Sequence, residues 1–133
     1  MPLRAKIRFD YQVSAEGKKR FFWQRLDLAK IANEKRTKQI SLLKNLPFQG
    51  LSIADLNSDH EVYLVPEDAH NPETACAPVE LLVEADSLED LMQLTLMEEF
   101  RKIKVIEPSE LFLTNAELER FLFKINEEYH TEM

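Results

Sequence analysis

Residues 3–13 alternate between apolar and polar side chains, and this alternation constrains the fold more than any other feature of the sequence. The apolar positions are Ala5, Ile7, Phe9, Tyr11 and Val13, and the polar positions between them are Lys6, Arg8, Asp10 and Gln12. Successive side chains of a β-strand point to opposite faces of the sheet. The pattern therefore predicts a strand that is buried on one face and solvated on the other.

The segment after this strand is predicted to turn and return beside it. Residues 14–19 include one of the only two glycines of the chain and are predicted to form a turn, because glycine adopts a positive φ at little cost. Residues 20–28 contain three adjacent aromatic side chains, which favour a strand. The two strands together predict a β-hairpin, and a helix that begins at residue 18 is the alternative.

The rest of the chain is predicted to contain three helices and further strands. Residues 87–90 have the capping-box pattern of a helix start, with Ser87 as the cap and Asp90 three positions on. Three prolines and no periodicity predict a loop at 66–78. The predicted elements are a helix at 29–46, an irregular segment or short element at 48–60, strands at 61–65, 79–84 and 102–106, a helix at 87–100, and a last helix capped by Asn115.

These elements predict one α+β domain over residues 1–133. Its first part, residues 1–50, is a hairpin followed by a helix, and its second part, residues 51–133, has the order strand–helix–strand–helix. The expected architecture is a two-layer sandwich, with the helices packed on one face of a mixed or antiparallel sheet.

Charge is distributed unequally between the two parts. Residues 1–50 carry 12 Lys and Arg against 4 Asp and Glu, a formal charge of +8. Residues 51–133 carry 5 against 20, a charge of −15, so the whole chain has a net charge of −7. The asymmetry indicates either a basic surface for an anionic partner or two parts that neutralise each other when they pack.

Several classes of function are excluded or disfavoured by composition. Two glycines 33 positions apart cannot form a phosphate-binding glycine loop. One cysteine and three scattered histidines do not provide a zinc site of standard spacing, and no catalytic motif is present, so we expect a non-enzyme without a cofactor. No apolar run approaches about 18 residues and no secretory signal is visible, which predicts a cytoplasmic protein without a membrane partner.

A minor enzymatic alternative would use acidic and histidine side chains near the middle of the chain, Asp55, Asp59 and His60, or a nucleophile at Cys76, which shares the proline-containing segment with His70. We expect these residues to lie in solvated loops instead.

The predicted hairpin carries the most suggestive group of side chains. Basic residues interleaved with aromatic ones can hold phosphates and stack on bases. The candidate residues for binding nucleic acid or another anionic ligand are Lys6, Arg8, Lys18, Lys19, Arg20, Trp23 and Arg25. In the competing interpretation, the aromatic side chains pack beneath a helix and the basic ones are simply solvated.

The predicted helix at 87–100 suggests a second function. Leu94 and Met97 lie off its main apolar stripe. A helix that is apolar on more than one side is covered either by its own chain or by a partner. Leu94 and Met97 are therefore candidate interface residues of a homo-oligomer, most simply a dimer.

Two segments resemble WYL-domain regulators. Residues 17–31 resemble the end of such a domain, where a strand rich in arginine and aromatic residues leads into an Arg-Leu-Asp sequence, matched by Arg25, Leu26 and Asp27. Residues 88–111, which include Val105-Ile106-Glu107-Pro108, resemble the C-terminal extension of the family, a helix, a strand and a closing helix.

The resemblance to this family covers roughly residues 5–31 and 79–129. It implies a regulatory module that senses a ligand, often nucleic acid, through a basic surface. By position, Arg20 and Arg25 would belong to that surface.

Overall fold

The computed structural model describes residues 2–14, 22–45, 49–66, 68–69 and 73–132, and the side chains of all these residues except 22–27, 131 and 132. In chain order its elements are β1 (Leu3–Ser14), α1 (Phe22–Asn45), β2 (Leu51–Asn57), β3 (Tyr63–Val65), β4 (Thr74–Ala85), α2 (Leu88–Thr95), β5 (Phe100–Glu107) and α3 (Asn115–Glu132).

The alternating residues 3–13 form a strand that is buried on one face, as predicted. The odd-numbered residues of β1 from Leu3 to Tyr11 are at most 3% exposed, whereas Lys6 and Gln12 face solvent. Because β1 is hydrogen-bonded to β4 on one side and to β5 on the other, it is a central strand with one face in the core.

The sheet is antiparallel, and its strands follow the order β2-β4-β1-β5. The short strand β3 also pairs with β4, beyond the end of β2. The predicted α+β class is confirmed, with an open sheet that is wholly antiparallel.

Helices cover one face of this sheet. Leu28, Ala32 and Leu43 of α1 and Leu91 and Leu94 of α2 join the same buried cluster as the odd-numbered residues of β1 and β4. Helix α3 packs mainly on α2. We call the opposite surface of the sheet, which carries the even-numbered residues of β1 and β4, the open face.

The predicted second strand of the hairpin is wrong. The chain is helical from Phe22 onward, so the alternative of a helix near residue 18 describes this segment better. A strand at 20–28 would need a free edge of β1, and both edges of β1 are occupied by β4 and β5. The aromatic residues favour a strand locally, but the pairing of β1 with β4 and β5 leaves no place in the sheet for one.

The predicted loop at 66–78 is also too long, because β4 begins at Thr74 and runs through Pro78. Proline has no backbone N–H and is normally excluded from a central strand. Here β2 ends opposite Glu80 and β3 begins opposite Cys76, so β4 has no partner residue at Pro78 on that side. The proline is tolerated because it lies in a gap of the ladder.

Arg36 of α1 fills this gap. Its Nη1 donates hydrogen bonds to the carbonyl oxygens of His60, at 2.6 Å, and Pro78, at 3.1 Å. Its Nη2 donates to Asn33 Oδ1 at 2.8 Å. Burial lowers the pKa of Arg36, an effect that the nearby Asp59 carboxylate opposes. Arg36 thus has a structural role, satisfying carbonyl groups that the interrupted ladder leaves open.

The second part of the chain has the predicted order of strand, helix, strand and helix in β4, α2, β5 and α3. Ser87 caps α2, with its Oγ accepting a hydrogen bond from the Asp90 amide at 3.2 Å, as the capping box predicts. Helix α2 ends at Thr95, several residues earlier than expected. Helix α3 is capped by Thr114 instead of Asn115, because Thr114 Oγ1 accepts from the Glu117 amide at 3.1 Å.

The turn before β2 requires a glycine. Gly50 has a φ of +75°, and a Cβ at this position would overlap the Asp90 carboxylate. Its carbonyl oxygen accepts from the Asp86 amide at 2.9 Å, which ties this turn to the start of α2.

Candidate anion-binding face

Four basic side chains meet on the open face of the sheet. Lys6 of β1 lies directly opposite Lys104 of β5, and Arg8 lies directly opposite Lys102. Residues that are directly opposed in antiparallel strands point to the same face, with Cβ atoms about 4.5–5.5 Å apart. We call this group of Lys6, Arg8, Lys102 and Lys104 the basic patch.

Like charges that face each other across a strand pair destabilise a sheet. The basic patch contains two such pairs side by side. In the described part of the chain, Lys6, Lys102 and Lys104 form no ion pair with a carboxylate. At least three positive charges of the basic patch therefore have no counter-ion among the described side chains.

Arg8 differs from the three lysines because Asp10 holds it in place. Arg8 Nε donates to Asp10 Oδ1 at 2.9 Å, and its Nη2 donates to Asp10 Oδ2 at 3.4 Å. These hydrogen bonds raise the pKa of Arg8 above its usual value. The guanidinium is thus a permanent, oriented cation at the edge of the basic patch.

Asp10 is 3% exposed and has two further partners. The Tyr63 hydroxyl donates to Asp10 Oδ2 at 2.7 Å, and Arg101 Nε lies 3.8 Å from the same oxygen. Burial, followed by the bond to Asp10, raises the pKa of Tyr63. The Asp10 carboxylate thus connects β1, β3 and the start of β5.

A shallow cavity of about 270 Å³ lies over the basic patch. Its lining consists of Lys6, Arg8, Glu80, Lys102, Ile103 and Lys104. Glu80 is the acidic member of this lining, and its Oε1 is 3.5 Å from His60 Nε2. Positive side chains dominate the lining, so the cavity is suited to an anion.

Two of the residues that the sequence predicted to bind an anion belong to the basic patch. Lys6 and Arg8 do share the outer face of β1. The hairpin that was to present Trp23 and Arg25 beside them is absent, and both residues belong to α1. Their side chains, and the whole of Lys18, Lys19 and Arg20, lie outside the described residues.

Sequence reasoning missed Lys102 and Lys104. Both were within a segment predicted to be a strand, and their spacing of two residues places them on one face. The sequence shows this spacing, but it does not show that β5 pairs with β1. Only the pairing shows that these lysines face Lys6 and Arg8.

The enzymatic candidates are not gathered into a site. Asp55 and Asp59 are exposed, His60 lies beside Glu80, and Cys76 is buried in β4. His70 lies outside the described residues. Among residues that the structure describes, no three His, Cys, Asp or Glu side chains are close enough to hold a metal ion.

The two predicted interface residues differ in exposure. Leu94 is 2% exposed and belongs to the core, so it cannot contact a partner in this fold. Met97 is partly buried against the same core. The chain itself therefore covers Leu94, whereas part of Met97 stays exposed and its role as an interface residue stays a prediction.

Comparison with known proteins does not assign the chain to a family. No family model matches the sequence, and none of the curated proteins is detectably similar to it. The resemblance to WYL-domain regulators stays a prediction. The helix–strand–helix order of its second segment agrees with α2, β5 and α3, whereas its arginine-rich strand falls in α1 from Phe22 onward.

Among the helices that the structure describes, none is both long enough and apolar enough to cross a membrane.

Proposed function

We propose that this protein is a non-enzymatic binding module that holds a phosphate-rich polyanion, most simply a single-stranded nucleic acid, across the open face of its sheet. The observation that carries the proposal is the pair of like-charge contacts, Lys6 with Lys104 and Arg8 with Lys102. An anion bound between the strands would neutralise charges that otherwise repel each other.

The composition of the basic patch favours backbone contacts over base recognition. Its members are lysines and one arginine, and its lining contains no aromatic side chain on which a base could stack. Phosphate contacts carry no sequence information directly. We therefore expect binding that depends little on sequence and strongly on salt.

The test is fluorescence anisotropy with a labelled, mixed-sequence single-stranded oligonucleotide at low salt, followed by a salt titration. Each phosphate contact lowers the slope of log K against log salt by about 0.7 for a single strand, so four contacts predict a slope of about −3. The double substitution Lys102→Gln and Lys104→Gln should flatten the slope by about 1.4.

A matched control removes two lysines from the opposite side of the molecule. Lys30 and Lys38 are exposed on α1, which covers the other face of the sheet. The variant Lys30→Gln/Lys38→Gln should bind like the unchanged protein. Absence of binding at low salt, or an equal loss in the control, would refute the proposal.

Inorganic pyrophosphate distinguishes a small anion from a polymer. A polymer that spans both cross-strand pairs should bind much more tightly than pyrophosphate, because it can contact all four cations at once. If pyrophosphate competes at equal concentration, the natural ligand is a small phosphorylated molecule and not a nucleic acid.

We also propose that the protein acts in the cytoplasm as a regulatory module. Its single cysteine, Cys76, is buried as a free thiol, which suits a reducing compartment. The role agrees with what the resemblance to WYL-domain regulators implies. The residues proposed here differ from that family's expectation, since Lys102 and Lys104 take the place of Arg20 and Arg25.

A further inference from the structure

Large apolar side chains at the surface are concentrated near the C-terminus. Of the fourteen large hydrophobic residues that are exposed in the described part of the chain, nine fall between Val105 and Tyr129. A folded monomer rarely leaves such a concentration open to water, and it marks a contact with another macromolecule.

Helix α3 supplies one half of this surface. Leu118, Leu122, Ile125 and Tyr129 follow the spacing of one helix face. Ile125 is half-buried, but Leu118, Leu122 and Tyr129 are 43%, 55% and 54% exposed. Helix α3 thus has an apolar stripe with no sheet beneath it.

Strand β5 supplies the complementary half. Val105 lies opposite Ala5, which is fully buried, and so points to the helix-covered side of the sheet. Val105 is nevertheless 48% exposed, because β5 is the last strand and α2 covers only part of it. The sheet edge at Val105 is therefore apolar and about half uncovered.

The charge of helix α3 limits what kind of partner can cover it. Helix α3 contains five glutamates against one arginine and one lysine, a formal charge of −3. An acidic helix is repelled by nucleic acid and by anionic lipid, so the partner that α3 fits is a protein surface.

The size of the surface is also that of a protein interface. Complete burial of an aromatic side chain removes roughly 150–250 Å² from water. Phe112, Phe123 and Tyr129 are 84%, 66% and 54% exposed, so these three alone represent on the order of 400 Å², to which the six aliphatic side chains add. A standard protein interface covers about 800 Å² on each partner.

We propose that the protein forms a two-fold symmetric dimer in which α3 of each chain packs over the β5 edge of the other. One chain carries both an apolar helix stripe with no sheet beneath it and an apolar sheet edge at Val105 that its own helices leave half exposed. A second copy can therefore cover both surfaces at once. Because each chain uses both surfaces in the contact, the assembly is a closed dimer and not a longer filament. This proposal places the interface on α3 and β5, away from Leu94 and Met97.

The mass of the full-length chain in solution tests the proposal. Light scattering coupled to size exclusion, in high salt so that polyanion binding does not contribute, should give about twice the 15.6 kDa of one chain. Leu122→Glu and Val105→Glu should each reduce the mass to that of one chain. Both positions are about half exposed, so the substitutions should leave the far-UV circular dichroism unchanged.

Ala116→Glu is the matched control. It introduces the same charge at an exposed position of α3 that lies off the apolar stripe, and it should leave the dimer intact. A monomeric unchanged protein, or a Leu122→Glu variant that stays dimeric, would overturn the proposal. A dimer that survives Val105→Glu would overturn the contact with β5.

Disulfide trapping gives an independent readout that does not depend on weakening the interface. An equal mixture of Val105→Cys and Leu122→Cys chains should form a cross-linked heterodimer on mild oxidation. The buried Cys76 is 2% exposed and should not react. Cross-linking that occurs equally in the Leu122→Cys variant alone would contradict the proposed arrangement, because it would place α3 against α3.

Discussion

At the scale of single residues, Asp10 determines how the open face is organised. A carboxylate that is 3% exposed is costly to bury unless it is hydrogen-bonded and paired. Here Arg8, Tyr63 and Arg101 surround it from three strands. The same contacts orient the Arg8 guanidinium, so the stability of this corner and the position of one cation of the basic patch have a common origin.

Stability at alkaline pH should depend on Tyr63. Its pKa and that of the buried Tyr11 are raised above the ordinary value of 10.0, in both cases chiefly by burial. In the unfolded chain these hydroxyls ionise near pH 10, whereas in the folded chain they stay protonated. Their contribution to stability is therefore complete below pH 10 and is lost as the pH rises toward the raised pKa values.

The measurement is urea unfolding at about pH 9 and about pH 11. Tyr63→Phe should reduce the loss of stability between these two conditions, because one ionising hydroxyl is removed. Tyr11→Phe removes the other hydroxyl whose pKa burial raises, so it should reduce the loss of stability in the same direction. An identical pH dependence in the Tyr63 variant would contradict the assignment.

At the scale of elements, local signals predicted helix starts better than strand partners. The capping box at Ser87 depends on residues three positions apart, and α2 begins where that pattern predicts. The cap of α3 was misplaced by one residue, from Thr114 to Asn115, for the same local reason: both residue types are good caps.

Ser87→Ala should therefore destabilise the protein by about 1 kcal/mol, the usual cost of losing a helix cap. The serine hydroxyl also donates to Asp90 Oδ2 at 2.9 Å, so the substitution removes this hydrogen bond as well as the cap. Chemical denaturation gives the free energy of unfolding. Ser109→Ala, at an exposed serine outside any helix or strand, should change it little.

The misassigned elements share a physical cause. Residues 20–28 have strand-forming aromatic side chains, but β1 has no free edge to receive them. Pro78 has the local signature of a loop, but it lies where the β2–β4 and β3–β4 pairings leave β4 unpaired. In both cases, contacts between distant segments override the preference of the local sequence.

At the scale of the whole molecule, the charge asymmetry read from the sequence only partly describes the surface. The basic patch takes Lys6 and Arg8 from the basic first part and Lys102 and Lys104 from the acidic second part. Pairing of β1 with β5 therefore concentrates positive charge that the sequence spreads over nearly a hundred positions. The net charge of either part alone does not locate it.

Stability and binding should change in opposite directions at the basic patch. Lys104→Glu replaces the like-charge pair with Lys6 by an opposite-charge pair, which should stabilise the fold by roughly 0.2–1 kcal/mol. The same change should weaken polyanion binding, since one cation is lost and an anion is added. Thermal unfolding in low salt and the oligonucleotide assay measure the two effects separately.

Lys38→Glu on α1 is the matched control for this comparison. It makes the same charge change on the opposite side of the molecule and should alter oligonucleotide binding little. A Lys104→Glu variant that is less stable than the unchanged protein would show that the like-charge pair does not strain the sheet.

The amino-acid sequence by itself determined the features that depend on neighbours along the chain. The two-residue period of β1, the start of α2 and the α+β class follow from side-chain alternation, capping and helix spacing. Only the tertiary structure decided that residues 22–28 are helical, that Lys102 and Lys104 face Lys6 and Arg8, and that Leu94 is buried while Leu122 is not. These features depend on which strand pairs with which, in which register, and on where the helical layer ends, and such contacts join residues far apart in the sequence.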